Sequence, residues 1–193
     1  MSVHQMATLA MLAAISVVLM YLVRFPLFPW APFLEYDMAD VPILIATFLF
    51  GPVSGVLLTI VVSVIQGLTV SASSDWIGIL MHIIATGSFA VVAGLYYQFQ
   101  RTRVGALIAL ILGSLAKTLV MIPLNLIFTV HFLGKPREVV VSMLVPTIIP
   151  FNLLKAGINS VVTFVVYKTV SRYVDRLAAL ESARVSNPKS TRG

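Results

Sequence analysis

The sequence predicts an all-α integral membrane protein, a bundle of six transmembrane helices with both termini in the cytoplasm. Of its 193 residues, 59% are hydrophobic and only 10% are charged, whereas about 25% of a soluble domain is charged. One core could not hide so much apolar surface in a chain of this length, so the solvent must be lipid. The long segments are apolar on nearly every side, which favours helices over a β-barrel with alternating residues.

The first apolar segment predicts a helix over residues 6–23, and a loop follows over residues 24–39. No cleavable signal peptide is expected, because this segment lacks a basic region before it. The loop is rich in proline and apolar side chains although it faces water. Its large apolar residues are Phe25, Phe28, Trp30, Phe33, Leu34 and Tyr36. They either lie in the interface as an aromatic belt or fold as a lid over a pocket.

The next apolar run, residues 41–70, has an awkward length. As one helix it would be about 45 Å long, against a hydrocarbon core of about 30 Å, and it is too short for two full spans. Gly51-Pro52 is a natural breaker within it. The sequence therefore predicts one short helix over residues 40–50 and a second over residues 53–68.

Three longer helices complete the predicted bundle. A polar turn over residues 71–75 leads to a helix over residues 76–99, and two further helices cover residues 104–132 and 139–170. We divide the chain into a six-helix membrane domain, residues 1–175, and a basic, flexible cytoplasmic tail, residues 176–193.

The distribution of basic residues predicts how the bundle is oriented in the membrane. Eight of them share one side of the six-helix arrangement: Arg101, Arg103, Lys168, Arg172, Arg176, Arg184, Lys189 and Arg192. Arg24, Lys135 and Arg137 fall on the other side. The positive-inside rule places the larger group in the cytoplasm, and with it both termini. A five-helix arrangement would instead put the aromatic loop in the cytoplasm.

Composition also excludes several classes of function. Cysteine is absent, so the chain has no disulfide framework and no thiolate chemistry. His4, His82 and His131 lack the spacing of metal ligands, and we expect neither a metal nor a cofactor. The basic residues cluster in loops and in the tail, as membrane topology requires, so the net charge of +6 does not indicate a nucleic acid partner.

The sequence carries no clear signal of catalysis. The run Gly113-Ser-Leu-Ala-Lys117-Thr118 lacks the second glycine of a phosphate-binding loop and lies in lipid. No histidine near a membrane segment has an acid at useful spacing. Clustered carboxylates within the membrane are not expected, which argues against a carrier driven by protons or sodium.

Polar residues in the last two helices predict a binding site. Asn152, Lys155 and Asn159 occupy one face of a helix, in a stretch where a buried lysine is costly unless it has a partner or faces a cavity. Measured from the inner ends of their helices, Asn125 lies at about 31 Å, Asn152 at about 24 Å and Lys155 at about 20 Å. These three can converge in the outer half of the bundle and bind a flat heteroaromatic molecule. The alternative is that they only join the helices.

Several other residues are weaker candidates, Gln66 among them. Lys117 lies near mid-membrane, where it snorkels, pairs with an acid or contacts a ligand, and we favour a structural role. His82 and Gly78 share a helix side that a flat ligand could approach, although a lone buried histidine is more often a packing residue. Asp40 precedes Val41-Pro42, so we expect it to cap the helix that starts there.

Small residues recur at a spacing of four. Ala10 and Ala14 form one such pair, and Gly105, Ala109 and Gly113 form a row in the fifth helix. This spacing allows close contact between helices, either within the bundle or with another membrane subunit.

Several short motifs together resemble a known family. They are Pro32-Phe-Leu-Glu-Tyr-Asp37 with Asp40-Val-Pro42, Phe50-Gly-Pro52, Pro123-Leu-Asn125, and Pro150-Phe-Asn-Leu-Leu-Lys155. Over residues 6–170 the chain resembles the substrate-binding S components of energy-coupling factor (ECF) vitamin transporters, and within them the riboflavin-specific ones.

The resemblance implies a riboflavin-binding membrane subunit that is not itself an enzyme. It implies that Asn125, Asn152 and Lys155 hydrogen-bond the flavin ring, and that Leu34 and Tyr36 belong to a lid. It implies that Ala10 and Ala14 dock a transmembrane coupling protein, which is shared with two ATPase subunits in the plasma membrane of a prokaryote.

Two alternatives stay open. One is an S component for a different vitamin; thiamine, a cation, would call for carboxylates in the pocket, and Lys155 disfavours it. The other is a self-sufficient small carrier or membrane enzyme, which would be active as a purified chain.

Overall fold

The computed structural model describes residues 1, 3–70 and 75–186, without the side chains of residues 75, 168 and 170–186. This part of the chain is mostly helical. The helices are α1 (Val3–Leu22), α2 (Asp40–Phe50), α3 (Pro52–Leu68), α4 (Asp75–Phe99), α5 (Arg103–Leu124), α6 (Val130–Leu133), α7 (Arg137–Met143) and α8 (Ile149–Ser186). One π-helical turn, Asn125–Thr129, joins α5 to α6, and another, Leu144–Ile148, joins α7 to α8.

Four helical stretches are long and apolar enough to cross a membrane. They are Val3–Leu22, Trp76–Phe99, Arg103–Leu133 and Arg137–Tyr167. The helices α2 and α3 are shorter, and between them Gly51 adopts a positive φ of 91°. The predicted break at Gly51-Pro52 is therefore confirmed, because a left-handed backbone conformation stops a helix at little cost only in glycine.

The loop after α1 folds back on the bundle, and we call residues 24–39 the cap loop. Strand β1 (Arg24–Pro26) pairs antiparallel with strand β2 (Glu35–Asp37), a hairpin that the sequence did not predict. Ala31 and Leu34 are buried against Ile148 and Phe151. Phe25 and Trp30 stay exposed. The cap loop therefore covers one end of the bundle, and part of its aromatic surface faces outward.

The position of Asp40 explains why α2 has only 11 residues. Asp40 is fully buried and contacts Lys117, which lies well inside α5. The helix therefore begins deep in the bundle, and about 16 Å of helix is enough to reach Gly51. Non-helical backbone at such a depth is tolerated where protein surrounds it or where it lines a cavity.

Small residues bring α4 and α5 together. Ala109 is fully buried, and a side chain at Gly113 would begin 2.3 Å from the ring of Phe89. The row Gly105, Ala109 and Gly113 thus serves contact inside the bundle. Ala10 and Ala14, by contrast, are exposed on the surface of α1.

Two sequence predictions fall partly outside the described residues. Residues 71–74 of the predicted polar turn and residues 187–193 of the predicted tail are not described. The backbone of α8 is helical as far as Ser186, and the boundary between membrane domain and tail at residue 175 stays a prediction.

Candidate ligand-binding site

A cavity lies under the cap loop, between α3, α4, α5 and α8. Six of the seven residues that the sequence assigns to ligand contact line it: Leu34, Gly78, His82, Asn125, Asn152 and Lys155. The seventh, Tyr36, does not line the cavity. Its side chain is buried, and its hydroxyl donates a hydrogen bond to Asn159 Oδ1 at 2.9 Å.

Irregular helix geometry positions the two asparagines. Asn125 starts the π-helical turn that follows Pro123, and Asn152 comes just after the second π-helical turn and Pro150. Proline removes a backbone donor from a helix, and single π-helical turns are frequent at functional sites. The sequence located both asparagines but gave no sign of π-helical geometry.

The helix backbone holds both amide groups in place. Asn125 Nδ2 donates to Met121 O at 2.7 Å, and Asn125 Oδ1 accepts from Thr129 Oγ1 at 2.7 Å. Asn152 Nδ2 donates to Ile148 O at 2.8 Å. One N–H of each amide and Asn152 Oδ1 have no partner among the described residues, so they are available to a bound molecule.

Lys155 joins α8 to the cap loop. Its Nζ atom donates to Asp37 Oδ2 at 2.7 Å and to Glu35 O at 3.3 Å. Asn159, one turn further along α8, donates from Nδ2 to Asp37 O at 3.2 Å. Since an ammonium has three N–H groups, Lys155 keeps one donor for the cavity while it holds the cap loop.

The charges of this junction act on Asp37 and Tyr36. Burial would raise the pKa of Asp37, but the ammonium of Lys155 outweighs it, and the pKa lies below its usual value. Burial, together with the negative charges of Asp37 and Asp40, raises the pKa of Tyr36 to about 12. At neutral pH Asp37 is therefore an anion that accepts from Lys155, and Tyr36 is a neutral donor.

A second buried cluster surrounds Asp40, and we call it the Asp40 cluster. Lys117 Nζ donates to Asp40 Oδ2, and Thr86 Oγ1 donates to Asp40 Oδ1 at 3.0 Å. His82 Nε2 lies 3.2 Å from Asp40 Oδ1, and Asn159 Nδ2 donates to Oδ2 at 3.4 Å. The cluster therefore connects α2, α4, α5 and α8.

The Asp40 cluster overturns three sequence predictions. Asp40 does not cap α2: Ala39 is the N-cap residue and no side chain caps the helix. Carboxylates do cluster inside the bundle, since Asp37 is 2% exposed and Asp40 is fully buried. His82 has an acid partner, which lies 42 residues earlier in the chain. For Lys117, the structure shows pairing with an acid, and Lys117 also lines the cavity, so contact with a ligand stays open.

His82 also links the cluster to α3. Its Nδ1 atom lies 2.8 Å from Ser63 Oγ, and Ser63 Oγ in turn donates to Thr59 O at 2.6 Å. Ser63 and His82 line the cavity as well. The histidine is thus held on both ring nitrogens, as a packing residue that also forms part of the cavity wall.

Arg24 and Glu35 are cavity residues that sequence reasoning missed. Arg24 Nε donates to Glu35 Oε2 at 2.7 Å across the hairpin, and Arg24 Nη1 donates to Val70 O beyond the end of α3. The carboxylates of the cavity, Glu35 and Asp37, are therefore both paired with bases. Nothing local in the sequence marks them, because their roles depend on how the cap loop folds.

No metal centre is found in the described part of the chain. Among residues 1, 3–70 and 75–186, no group of three His, Asp or Glu side chains is close enough to hold a metal ion. The polar groups of the cavity include amide, ammonium and paired carboxylate groups, which suit an organic ligand.

Comparison with known proteins agrees with this geometry. The family model described as "ECF transporter, substrate-specific component" matches residues 4–167. The riboflavin transporter RibU of Staphylococcus aureus (strain TCH60) is 30% identical over 182 residues, which are 90% of this chain and 93% of the relative. The riboflavin transporter FmnP of Bacillus subtilis (strain 168) is 27% identical over 185 residues, 91% of this chain and 96% of that protein.

A solved structure has the same fold. It is described as the S component of a bacterial ECF transporter, superposes with a TM-score of 0.76, is 30% identical, and covers 89% of this chain and 97% of its own. Its fold agrees with the helical architecture of this chain, and the family model matches most of the chain. Together these two findings establish the family. This chain belongs to the ECF transporter substrate-specific components, and it is accordingly a transporter subunit and not an enzyme.

Proposed function

We propose that this chain is the high-affinity riboflavin-binding subunit of an ATP-driven ECF importer. It captures the vitamin outside the cell and presents it to a shared energising module. The observation that carries the proposal is the cavity under the cap loop, where Asn125, Asn152 and Lys155 come together. Relatives named riboflavin transporters, matched over about nine-tenths of the chain, support the choice of ligand.

The chemistry of riboflavin fits the groups that the cavity offers. Its ring system is flat, neutral and rich in carbonyl and ring-nitrogen acceptors, so the remaining N–H groups of Lys155 and the two asparagines have partners. Phe33, Phe151 and other apolar side chains supply the walls against which a ring can pack. The alternative ligand thiamine needs an unpaired carboxylate for its positive charge, and both cavity carboxylates are already paired with bases.

The proposed topology is a bundle of six membrane helices with both termini in the cytoplasm of a bacterium. In this arrangement α2 crosses only the inner part of the plasma membrane, because the cap loop carries Asp40 into the interior. The absence of cysteine in the sequence makes the topology simple to test. A membrane-impermeant maleimide should label Lys135→Cys on intact cells and label Arg101→Cys only after the cells are opened; the reverse pattern would contradict the topology.

We propose Ala10 and Ala14 as the docking site for the transmembrane coupling protein, which is shared with two ATPase subunits. Both alanines are exposed on α1, so another helix could approach closely there. Ala10→Trp should leave riboflavin binding unchanged and abolish uptake by the assembled transporter. Normal uptake by Ala10→Trp would remove these alanines from the docking surface.

Flavin fluorescence tests the proposed function directly. Riboflavin would be titrated into the purified protein in detergent. We expect its fluorescence to be quenched at nanomolar concentration, with one riboflavin bound per protein chain. Thiamine at the same concentrations should not compete. If folded protein leaves the fluorescence unchanged, riboflavin is not the ligand; if the purified chain alone moves riboflavin across a liposome membrane, it is a self-sufficient carrier.

A further inference from the structure

Gln66 on α3 is a cavity residue with an unsatisfied polar atom. It lines the cavity, and its Oε1 atom is buried without a hydrogen-bond partner among residues 1, 3–70 and 75–186. Among the described residues, Thr163 Oγ1 is the other buried side-chain atom in this condition, and Thr163 does not line the cavity. A buried polar atom without a partner costs free energy, so its presence in a binding cavity calls for an explanation.

The other two carboxamides of the cavity differ from Gln66. Asn125 and Asn152 each donate to a carbonyl of the preceding helical turn, and this bond fixes the plane of the amide. Gln66 makes no such bond among the described residues, so its amide keeps both a donor and an acceptor. These two groups lie side by side and can form two parallel hydrogen bonds with a matching edge.

We propose that Gln66 recognises the imide edge of the flavin ring and thereby determines specificity. This inference rests on the proposed function and names a residue that selects the ligand. The imide carries the single N–H donor of the oxidised ring, next to a carbonyl acceptor. A carboxamide matches such a pair with two bonds, as asparagine and glutamine do at the edge of adenine. The other polar groups of the ring system are acceptors, to which Lys155 can donate.

A pair of ligands and a pair of proteins test the proposal. Riboflavin and its 3-methyl derivative differ in the imide N–H, which the methyl group replaces. The wild type should bind 3-methylriboflavin at least about thirty-fold more weakly than riboflavin. Gln66→Ala should bind riboflavin about ten-fold more weakly than the wild type. Its affinities for the two flavins should differ by less than about three-fold, because the variant lacks both the hydrogen bond to the imide and the side chain that would clash with the methyl group.

Two variants serve as controls. Thr163→Val removes the other unpartnered oxygen, which lies away from the cavity, and should change neither flavin affinity. Gln66→Leu keeps the approximate volume and removes the unsatisfied amide, so without ligand it should melt at or above the temperature of the wild type. Such a result shows that the loss of affinity in the Gln66 variants is not a loss of folding.

The outcomes separate the inference from the function on which it rests. If the wild type binds riboflavin and Gln66→Ala retains the full penalty for the methyl group, the inference is overturned and the proposed function stands. If the penalty disappears in Asn152→Ala and not in Gln66→Ala, the imide edge belongs to Asn152 and the inference is again overturned. If the wild type does not bind riboflavin at all, the proposed function and the inference fall together.

Discussion

Two lysines in the bundle form buried ion pairs with aspartates, and the two aspartates belong to different kinds of chain segment. Lys117 on α5 pairs with Asp40, the first residue of α2, and Asp40 also contacts side chains from α4 and α8. Lys155 on α8 pairs with Asp37, which belongs to the cap loop. Both acids are almost completely buried. Both lysines line the cavity. The first pair joins two helices, whereas the second connects a helix with the segment that covers the cavity.

This difference predicts different roles for the two ion pairs, although both consist of a lysine and an aspartate. The bundle cannot move Asp40 into water without unfolding, so loss of Lys117 leaves a buried charge without compensation. The cap loop can carry Asp37 outward, and it has to move if a ligand is to enter the cavity beneath it. We therefore expect the Lys117 pair to determine stability and the Lys155 pair to determine binding and closure.

The largest expected effect is the loss of stability in Lys117→Met. We expect this variant to lose about 3–5 kcal/mol of unfolding free energy, since Asp40 keeps its charge without its main partner. Thermal unfolding in detergent measures the loss. The double variant Lys117→Met with Asp40→Asn also lacks the negative charge of Asp40, so it should recover most of the lost unfolding free energy. If Lys117→Met is as stable as the wild type, the pair does not stabilise the bundle.

The second expected effect is on binding, in Lys155→Ala. Riboflavin should bind at least about ten-fold more weakly, which corresponds to about 1.4 kcal/mol. Hydrogen exchange should increase in the cap loop while the helix cores stay protected, because Asp37 moves into water together with the loop. Asn152→Ala is the matched comparison: it should weaken binding to a similar degree and leave the exchange of the cap loop unchanged. Unchanged affinity in both variants would refute the proposed pocket.

The smallest effect is expected for Tyr36→Phe. This change removes the hydroxyl that donates to Asn159 Oδ1 and leaves the ring in place. The lost bond should cost about 0.5–1.5 kcal/mol, and riboflavin should dissociate several-fold faster because the cap loop opens more readily. Stopped-flow fluorescence measures the rate. Tyr21→Phe, at an exposed tyrosine of α1, is the control, and equal rates in the two variants would exclude a role for Tyr36 in closure.

The sequence predicted the helices well because their signals are local. The apolar segments, the break at Gly51 and the helical face that carries Asn152 and Lys155 all follow from spacing and composition. Simple helix lengths also brought Asn125, Asn152 and Lys155 to similar depths, and the structure places all three on one cavity. Whether they contact a ligand stays a prediction.

The sequence could not predict the ion pairs, because their partners are far apart in the chain. Asp37 and Lys155 are separated by 118 residues, and Asp40 and Lys117 by 77. In sequence, the two acids lie at the end of a loop and precede a helix, which is the ordinary setting of an N-cap. Only the folding of the cap loop into the bundle buries them, and that depends on long-range packing of residues such as Ala31 and Leu34.

One measurement tests the contrast between the two lysines most directly. Thermal unfolding of the wild type, Lys117→Met and Lys155→Ala would be recorded with and without saturating riboflavin, since a ligand that binds the folded state raises its melting temperature. We predict that Lys117→Met melts several degrees lower without ligand and keeps the stabilisation by riboflavin, whereas Lys155→Ala melts near the wild type and loses most of that stabilisation. The opposite pattern, or equal losses of both quantities in both variants, would contradict the separation of stability from binding.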